Sequence, residues 1–258
     1  MQVHLVQHDI VWESPTETIA HVRTMLEAHL VAPGDLVVLP EMFATGFSMN
    51  AAKVGEAADG GTTSFLQEIA QRGQVFVIGG VPVVAPSGRV QNQAVCVNPQ
   101  GEVVARYAKM QPFSISGENK NYEAGSAPAI FDWNGLKVAP LICYDLRFPE
   151  VFRAATKLGA EMFCVIANWP ATRAAHWDIL LPARALENQA YLTGVNRVGR
   201  DPVCQYNGRS RVLDPNGCLL ADAGEVETIL SCAIDPENVR TFRAKLPFLR
   251  DMRSDLVR

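Results

Sequence analysis

Apolar runs of strand length alternate along this chain with amphipathic segments of helical length, and this alternation constrains its fold more than any other feature. DLVVLP at 35–40 and VFVIGGVPVV at 75–84 are bounded by Gly, Pro or polar residues, as buried strands are. Between a first strand, VHLVQ at 3–7, and DLVVLP, the segment TETIAHVRTMLEAHL at 16–30 has the period of an amphipathic helix. Its apolar residues at helical spacing are Ile19, Val22, Leu26 and Leu30. The pattern predicts an α/β architecture in which helices pack on sheets.

Antiparallel hairpins are predicted beside these strand–helix units. In NQAVCVNPQGEVVARYAK at 92–109 a Pro-Gln-Gly turn joins two strands, and in SRVLDPNGCLLAD at 210–222 Asp-Pro-Asn-Gly does the same. Further helices are predicted at 62–73, with a threonine or serine cap, and from about Pro236 to Leu246.

The composition fits a single domain spanning 1–258, with a polar tail at about 247–258. Hydrophobic residues make up 48% of the chain, enough for a large core. The net charge of −4, without clustered Lys or Arg, argues against a surface for nucleic acid or anionic membranes. No apolar stretch reaches the ~18–20 residues of a membrane-spanning helix, and MQVHLVQHDIVW at 1–12 lacks a signal-peptide pattern. We therefore expect a cytoplasmic protein.

Metal binding is not expected. The six cysteines are scattered without a CxxC pair, so they indicate neither a zinc site nor a disulfide framework. His4 and His8 lie four residues apart, but on the strand predicted there they share a face without a third ligand.

Three apolar strands end in a residue that is capable of chemistry. LVVLPE exposes Glu41, VVARYAK exposes Lys109, and VAPLIC exposes Cys143, each beside an irregular loop. A thiol has an ordinary pKa of ~8.5, so it needs a base, which a carboxylate supplies. An ammonium then stabilises the oxyanion that forms. Glu, Lys and Cys together suit acyl transfer from an amide or nitrile carbon.

The blocks around these residues resemble the nitrilase superfamily of carbon–nitrogen hydrolases. LPEMFATGF at 39–47, KMQPFS…GENKNYEAG at 109–125 and ICYDLRFPE at 142–150 are similar to its three signature blocks, in order. ANWPATRAAHWDILLPARALENQAYLTGVNRVG and YNGRSRVLDPNG extend the resemblance over nearly the whole chain and are most similar to the omega-amidase branch. The resemblance implies a nitrilase-like four-layer α-β-β-α sandwich.

The resemblance also implies the catalytic roles. Cys143 is expected to be the nucleophile, Glu41 its general base and Lys109 the oxyanion stabiliser. The backbone N–H of Tyr144 is expected to complete the oxyanion hole. Glu118 is expected to support the site by positioning the substrate and Lys109.

The omega-amidase branch implies hydrolysis of the terminal amide of a short α-keto acid. The favoured reaction converts 2-oxoglutaramate to 2-oxoglutarate and ammonia, and 2-oxosuccinamate is a second candidate substrate. The reaction would pass through a thioester and consume water, with no metal or organic cofactor. Such enzymes act in methionine salvage among other routes, and they usually form homodimers. One departure is Gln111, which stands where the family usually has a histidine.

Residues beside the signature blocks are expected to enclose the substrate. Phe43, Phe113 and Trp169 are candidates for an apolar pocket that excludes water. The carboxylate of an α-keto acid needs a cationic partner, for which Arg173 is a candidate.

Other interpretations are compatible with the same residues. Arg147 is a second candidate for the carboxylate, although pairing with Glu150 or Asp145 is favoured. The activity of a carbamoyl amidohydrolase, a deaminated glutathione amidase or a nitrilase needs the same chemistry with another pocket. His176 is an alternative partner for Cys143, as in papain-like proteases. A non-catalytic interaction module would be expected to have a damaged Glu-Lys-Cys set, and all three residues are present.

Overall fold

The computed structural model describes residues 1–253 and 255, which form two packed β-sheets flanked by helices. The helices are α1 (Pro15–Glu27), α2 (Ala51–Val54), α3 (Gly61–Gly73), α4 (Glu118–Asn121), α5 (Pro149–Lys157), α6 (Ala174–Asn188) and α7 (Pro236–Lys245). The strands are β1 (Gln2–Gln7), β2 (Leu36–Val38), β3 (Phe76–Val84), β4 (Val90–Val97), β5 (Val103–Ala108), β6 (Phe131–Trp133), β7 (Leu136–Ile142), β8 (Met162–Ala167), β9 (Tyr191–Asn196), β10 (Val198–Arg200), β11 (Gln205–Asn207), β12 (Arg211–Leu213), β13 (Leu219–Asp222) and β14 (Thr228–Ala233).

Each large sheet has a parallel centre and antiparallel edges. The first has the order β14-β1-β2-β3-β4-β5, in which β1, β2 and β3 are parallel neighbours. The second has the order β13-β12-β9-β8-β7-β6, in which β7, β8 and β9 are parallel. The two predicted hairpins, β4 with β5 and β12 with β13, are confirmed. A further hairpin, β10 with β11, stands apart from both sheets.

Alternating side chains on the central strands build the layers. Val3 and Leu36 belong to the core between the two sheets, whereas Val6 and Val37 pack with residues of α1 and α3. On the far side of the second sheet, α5 and α6 pack residues such as Leu181, which belong to the same hydrophobic cluster. Each fully buried Val or Leu contributes about 1.5–3 kcal/mol. The predicted four-layer α-β-β-α sandwich is confirmed.

Two local predictions are wrong at helix ends. Helix α1 ends at Glu27, so Leu30 lies beyond it and is 93% exposed rather than part of the apolar face. Helix α3 has no threonine or serine cap, because Gly60 occupies the cap position. The Glu56 carboxylate accepts from the backbone N–H of Thr62 at 3.1 Å instead. A carboxylate is favoured there by the partial positive charge of the helix N-terminus.

The segment after α7 carries a single 3₁₀ turn, Phe248–Asp251. The predicted tail at about 247–258 lies partly outside the described residues, because 254 and 256–258 are not among them. Within the described part of the chain, no helix is both long and apolar enough to cross a membrane.

Candidate active site

The three strand ends singled out in the sequence meet between the two sheets. Glu41 follows β2 and Lys109 follows β5 in the first sheet, while Cys143 follows β7 in the second. Lys109 Nζ donates to Glu41 Oε1 at 2.9 Å, and both side chains are almost fully buried. Cys143 and Lys109 line the same cavity. The fold therefore brings a carboxylate, an ammonium and a thiol together from distant parts of the chain.

Glu41 is held by groups from both sheets. Its Oε1 accepts from Asn92 Nδ2 at 2.7 Å, and its Oε2 accepts from the backbone N–H of Asn168 at 2.9 Å. The backbone of Glu41 lies so close to β3 that a Cβ at Gly80 would be 2.5 Å from Glu41 Cα. The carboxylate is thus fixed in place before any substrate binds.

Lys109 lies between two carboxylates. Besides Glu41, its Nζ donates to Glu118 Oε2 at 2.9 Å and Oε1 at 3.1 Å. Burial lowers the pKa of an ammonium, but Glu118 and Glu41 outweigh this effect and hold the pKa of Lys109 well above its usual range. The Phe47 ring lies 5.0 Å from Nζ and closes one side. Lys109 is therefore a fixed positive charge at neutral pH.

Cys143 has a backbone conformation that is rare for a residue with a side chain. Its φ of 46° is left-handed, and it begins a 3₁₀ turn directly after β7. The Asp145 carboxylate stabilises this turn by accepting from the backbone N–H of Ile142 at 2.9 Å. The same carboxylate accepts from the Tyr107 hydroxyl at 2.7 Å and from the backbone N–H of Gln111 at 3.0 Å. Asp145 thus ties the nucleophile turn to the segment that carries the lysine.

The surroundings of Cys143 favour the neutral form of its thiol. Burial raises its pKa well above the usual range, the Glu41 carboxylate adds to the rise, and Lys109 opposes it. Sγ lies 3.9 Å from the backbone carbonyl of Asn168, a further electron-rich neighbour. A neutral thiol needs a base before it can act as a nucleophile, and Glu41 is the carboxylate whose charge acts most strongly on this one.

A cavity of about 440 Å³ opens above the thiol. Of the residues predicted to contact substrate, Phe113, Trp169 and Arg173 line it, as does Tyr144 of the expected oxyanion hole. The β10–β11 hairpin adds further wall residues, among them Tyr206. The size suits a small acyl group with one or two polar ends.

Two arginines of this cavity have no carboxylate partner among the described residues. Arg147 does not pair with Glu150 or Asp145, so the favoured structural pairing is wrong, since Asp145 is already occupied by backbone and hydroxyl donors. The Arg147 guanidinium instead lies 4.7 Å from the Trp169 ring. The Arg173 guanidinium lies over the aromatic ring of Phe113, which also lines the cavity. Burial, and then the charge of Arg173, lowers the pKa of Arg147. Two neighbouring guanidinium groups without a counter-ion favour an anionic ligand.

Phe43 was predicted to contact substrate, and this prediction is wrong. Phe43 is fully buried in the core beneath α1 and α3, where its ring lies 6.2 Å from that of Phe65. The neighbouring Met42 has a left-handed φ of 43°, which redirects the chain after Glu41. The cavity wall is formed by Phe47 in its place.

His176 is not placed as a partner for the thiol. It is exposed at the start of α6, it is absent from the cavity lining, and its Nδ1 lies 3.1 Å from Arg147 Nη1. This position disfavours a Cys-His pair.

The described residues contain no group of three His, Cys, Asp or Glu side chains arranged to hold a metal ion. His4 is engaged by Asp35 at 3.1 Å and Ser231 at 2.8 Å. His8 is buried, and burial lowers its pKa to about 4.

Sequence reasoning missed Asn92 and Asn168. Asn168 follows the apolar strand β8, so the polar-residue signal that found Glu41 at the end of β2 also applies to it. Asn92 lies inside β4, where no comparable signal exists.

The chain matches the family model for carbon-nitrogen hydrolase over residues 2–244. The sandwich fold and the buried Glu-Lys-Cys site define an enzyme that hydrolyses carbon–nitrogen bonds, and the chain belongs to this family.

Individual proteins of known name are similar to this chain over nearly its whole length. The chain is 37% identical over 253 residues to the omega-amidase YafV of Escherichia coli K12, covering 97% of this chain and 96% of the relative. It is 33% identical over 257 residues to the 2-oxoglutaramate amidase of Bacillus subtilis 168, covering 98% of each. Among solved structures, a CN-hydrolase superfamily protein of Xanthomonas campestris with an arsenic adduct in its active site has a TM-score of 0.89 and 32% identity. That match covers 98% of this chain and 97% of the other.

Proposed function

We propose that this protein is an omega-amidase that hydrolyses the terminal amide of short α-keto acids, with 2-oxoglutaramate as the preferred substrate and 2-oxosuccinamate as a second one. The observation that carries the proposal is the presence, in one cavity, of a buried Glu-Lys-Cys site and of two arginines, Arg147 and Arg173, that have no carboxylate partner among the described residues. The names of the two curated relatives, omega-amidase and 2-oxoglutaramate amidase, support this substrate class.

The first half-reaction forms a thioester. The amide carbonyl oxygen points toward Lys109 Nζ and the backbone N–H of Tyr144, which stabilise the negative charge of the tetrahedral intermediate. Glu41 takes the proton of Cys143 as sulfur attacks the carbonyl carbon. The same proton passes from Glu41 to the amide nitrogen, which leaves as ammonia.

The second half-reaction hydrolyses the thioester. Glu41 removes a proton from a water molecule that attacks the acyl carbon, and the returning proton restores the thiol of Cys143. Lys109 keeps its charge throughout, because Glu118 remains bound to it when Glu41 is transiently protonated. The role of Glu118 is therefore to fix the lysine during turnover.

The far end of the substrate carries a carboxylate. Arg147 and Arg173 supply the positive charge for it, and Phe113 and Trp169 pack on its short carbon chain. Asp201 also lines the cavity, but its carboxylate is occupied by the Tyr206 hydroxyl at 2.6 Å and by backbone N–H groups. No other carboxylate of the described residues lines the cavity to bind an α-ammonium group, so the cavity favours keto acids over amino acids.

A substrate panel tests this proposal. Ammonia release is measured with 2-oxoglutaramate, 2-oxosuccinamate, glutamine, an N-carbamoyl amine and a simple nitrile. The two keto-acid amides are expected to be the best substrates. Activity confined to the nitrile or to the carbamoyl compound would show that the protein has the activity of a different member of the family. The roles of the catalytic residues would be unchanged.

The setting of the enzyme follows from the same proposal. We expect a cytoplasmic homodimer whose partners are the small amide and water, with no cofactor, and which serves routes such as methionine salvage. The net charge of −4 supports the expectation that nucleic acids and anionic membranes are not partners. Size-exclusion chromatography with light scattering tests the dimer.

A further inference from the structure

Asn92 bonds to all three residues of the buried Glu41-Lys109-Glu118 cluster from one position on β4. Its Nδ2 donates to Glu41 Oε1 at 2.7 Å and to Glu118 Oε1 at 3.0 Å. Its backbone carbonyl accepts from the backbone N–H of Lys109 at 2.9 Å. The residue is 1% exposed. One residue therefore links both carboxylates to the backbone of the lysine that lies between them.

The orientation of the Asn92 amide is dictated by its surroundings. The atoms nearest Nδ2 are carboxylate oxygens, which accept hydrogen bonds, so the NH₂ end must face them. The Oδ1 atom is consequently left buried without a partner among the described residues. A buried unpaired acceptor destabilises a fold, and its presence in a native site calls for a functional explanation.

The charges of the cluster supply that explanation. Glu41 and Glu118 bring two negative charges against the single positive charge of Lys109. Neighbouring buried carboxylates drive one of the pair to take up a proton. A protonated Glu41 has no site left for the proton of Cys143, so the nucleophile would not be activated.

We propose that Asn92 is a positioning residue, which keeps Glu41 and Glu118 both ionised by donating one N–H to each, so that Glu41 stays available as the base. The inference rests on the proposed function, in which Glu41 acts on Cys143. A hydrogen bond that favours the ionised form of a carboxylate moves its titration to lower pH.

Asn92→Asp is the most direct test, because it keeps the shape and replaces the donor with an acceptor. We expect kcat/KM at pH 7 to fall about 10- to 100-fold, the effect of losing one hydrogen bond to a charged group. The acidic limb of the kcat/KM profile is expected to move to higher pH, because the donor that favours the ionised carboxylate is gone. Asn92→Ser, which keeps one donor, is expected to show a smaller shift in the same direction.

The matched control is Asn188→Asp, at another fully buried asparagine, whose side chain bonds structural groups of α5 and α6. It is expected to lower the unfolding temperature and leave the acidic limb in place. A folded Asn92→Asp or Asn92→Ser protein whose acidic limb coincides with that of the wild type would overturn the proposal.

A second readout needs no substrate and separates this proposal from the substrate assignment. The rate at which iodoacetamide alkylates Cys143 is followed by mass spectrometry as a function of pH. The Asn92 variants are expected to need a higher pH for the half-maximal rate. If the wild type hydrolyses none of the proposed amides yet the alkylation profiles differ as expected, the role of Asn92 stands and the substrate proposal fails. Superimposable alkylation profiles would instead reject the role of Asn92.

Discussion

Glu41 Oε1 and Lys109 Nζ are 2.9 Å apart, with side chains that are 0% and 2% exposed. An ion pair buried this deeply gives little net stability, but removing one partner leaves the other charge buried and uncompensated. Lys109 therefore matters to the fold as well as to the chemistry, whereas the neutral thiol of Cys143 matters to the chemistry.

Lys109→Met and Cys143→Ala are expected to separate these two contributions. Both variants should lose ammonia release by at least ~10²-fold, the effect of removing a main catalytic group. Lys109→Met should also lower the free energy of unfolding by about 3–5 kcal/mol, while Cys143→Ala should change it by less than about 1 kcal/mol. Urea unfolding followed by circular dichroism measures this. Equal stability of the two variants would contradict the account of Lys109 as the counter-ion of two carboxylates.

His176→Ala is expected to retain nearly full amidase activity. The imidazole is exposed and contacts Arg147 rather than the thiol. The measurement is kcat/KM for the best amide of the substrate panel. Loss of activity in a folded variant would favour a Cys-His mechanism over the Glu-Lys-Cys one.

Arg173→Gln is expected to weaken substrate binding without affecting the chemical step. Losing one charge-assisted hydrogen bond should raise KM for 2-oxoglutaramate about 10- to 100-fold and leave kcat within a few fold. A short amide without a carboxylate should be hydrolysed equally by the variant and the wild type. Arg200→Gln, at an exposed arginine outside this cavity, is the control. An equal loss on both substrates would point to a structural role for Arg173.

His8 is expected to make the protein less stable in mild acid. Burial lowers its pKa to about 4 from an ordinary value of 6.5. Between these two pH values the unfolded chain binds more protons than the folded one, so stability falls as pH decreases. The free energy of unfolding of the wild type, measured relative to that of His8→Leu, should decrease by about 3 kcal/mol from pH 6.5 to pH 4. His21→Leu, at a surface histidine, is the control. A pH-independent difference would contradict the prediction.

Asp145 is expected to affect the pH dependence of stability in the opposite direction from His8, making the protein less stable as pH rises. Burial is the main cause that raises its pKa to about 7 from 3.8, against the hydrogen bonds from Tyr107 and Ile142. Between these values the folded protein binds more protons than the unfolded chain, so this group lowers stability as pH rises from about 4 to 7. The difference in free energy of unfolding between wild type and Asp145→Asn should fall by up to about 4 kcal/mol over that window. Guanidinium unfolding at a series of pH values measures it, and a rising difference would refute it.

The positions of Glu41, Lys109 and Cys143 were predictable because their signal is local. Each is the first chemically capable residue after an apolar strand, and strand ends converge at sites. The alternation of strands and helices predicts helices packed on sheets, whereas the order of the four layers is implied by the family resemblance.

The roles of Asn92, Phe43 and Arg147 were not predictable from local sequence. Asn92 lies in a run of polar residues on β4, and which of them faces the site depends on its register with β3. Phe43 and Phe47 lie in one loop, and the left-handed backbone at Met42 influences which ring enters the core.

The sequence favours a carboxylate close in sequence as the ion-pair partner of Arg147. Backbone and hydroxyl donors occupy Asp145 first, because they are already fixed by the strands around it. Competition of this kind between partners distant in sequence has no signature in a single chain.

The division of the site between the sheets has a consequence for renaturation. Glu41 and Lys109 belong to the first sheet, and Cys143 and Asn168 follow strands of the second. A refolding intermediate with both sheets formed but not yet docked would have native-like circular dichroism and an inactive thiol. Return of ammonia release after dilution from urea therefore times the docking of the two halves, separately from the formation of their strands.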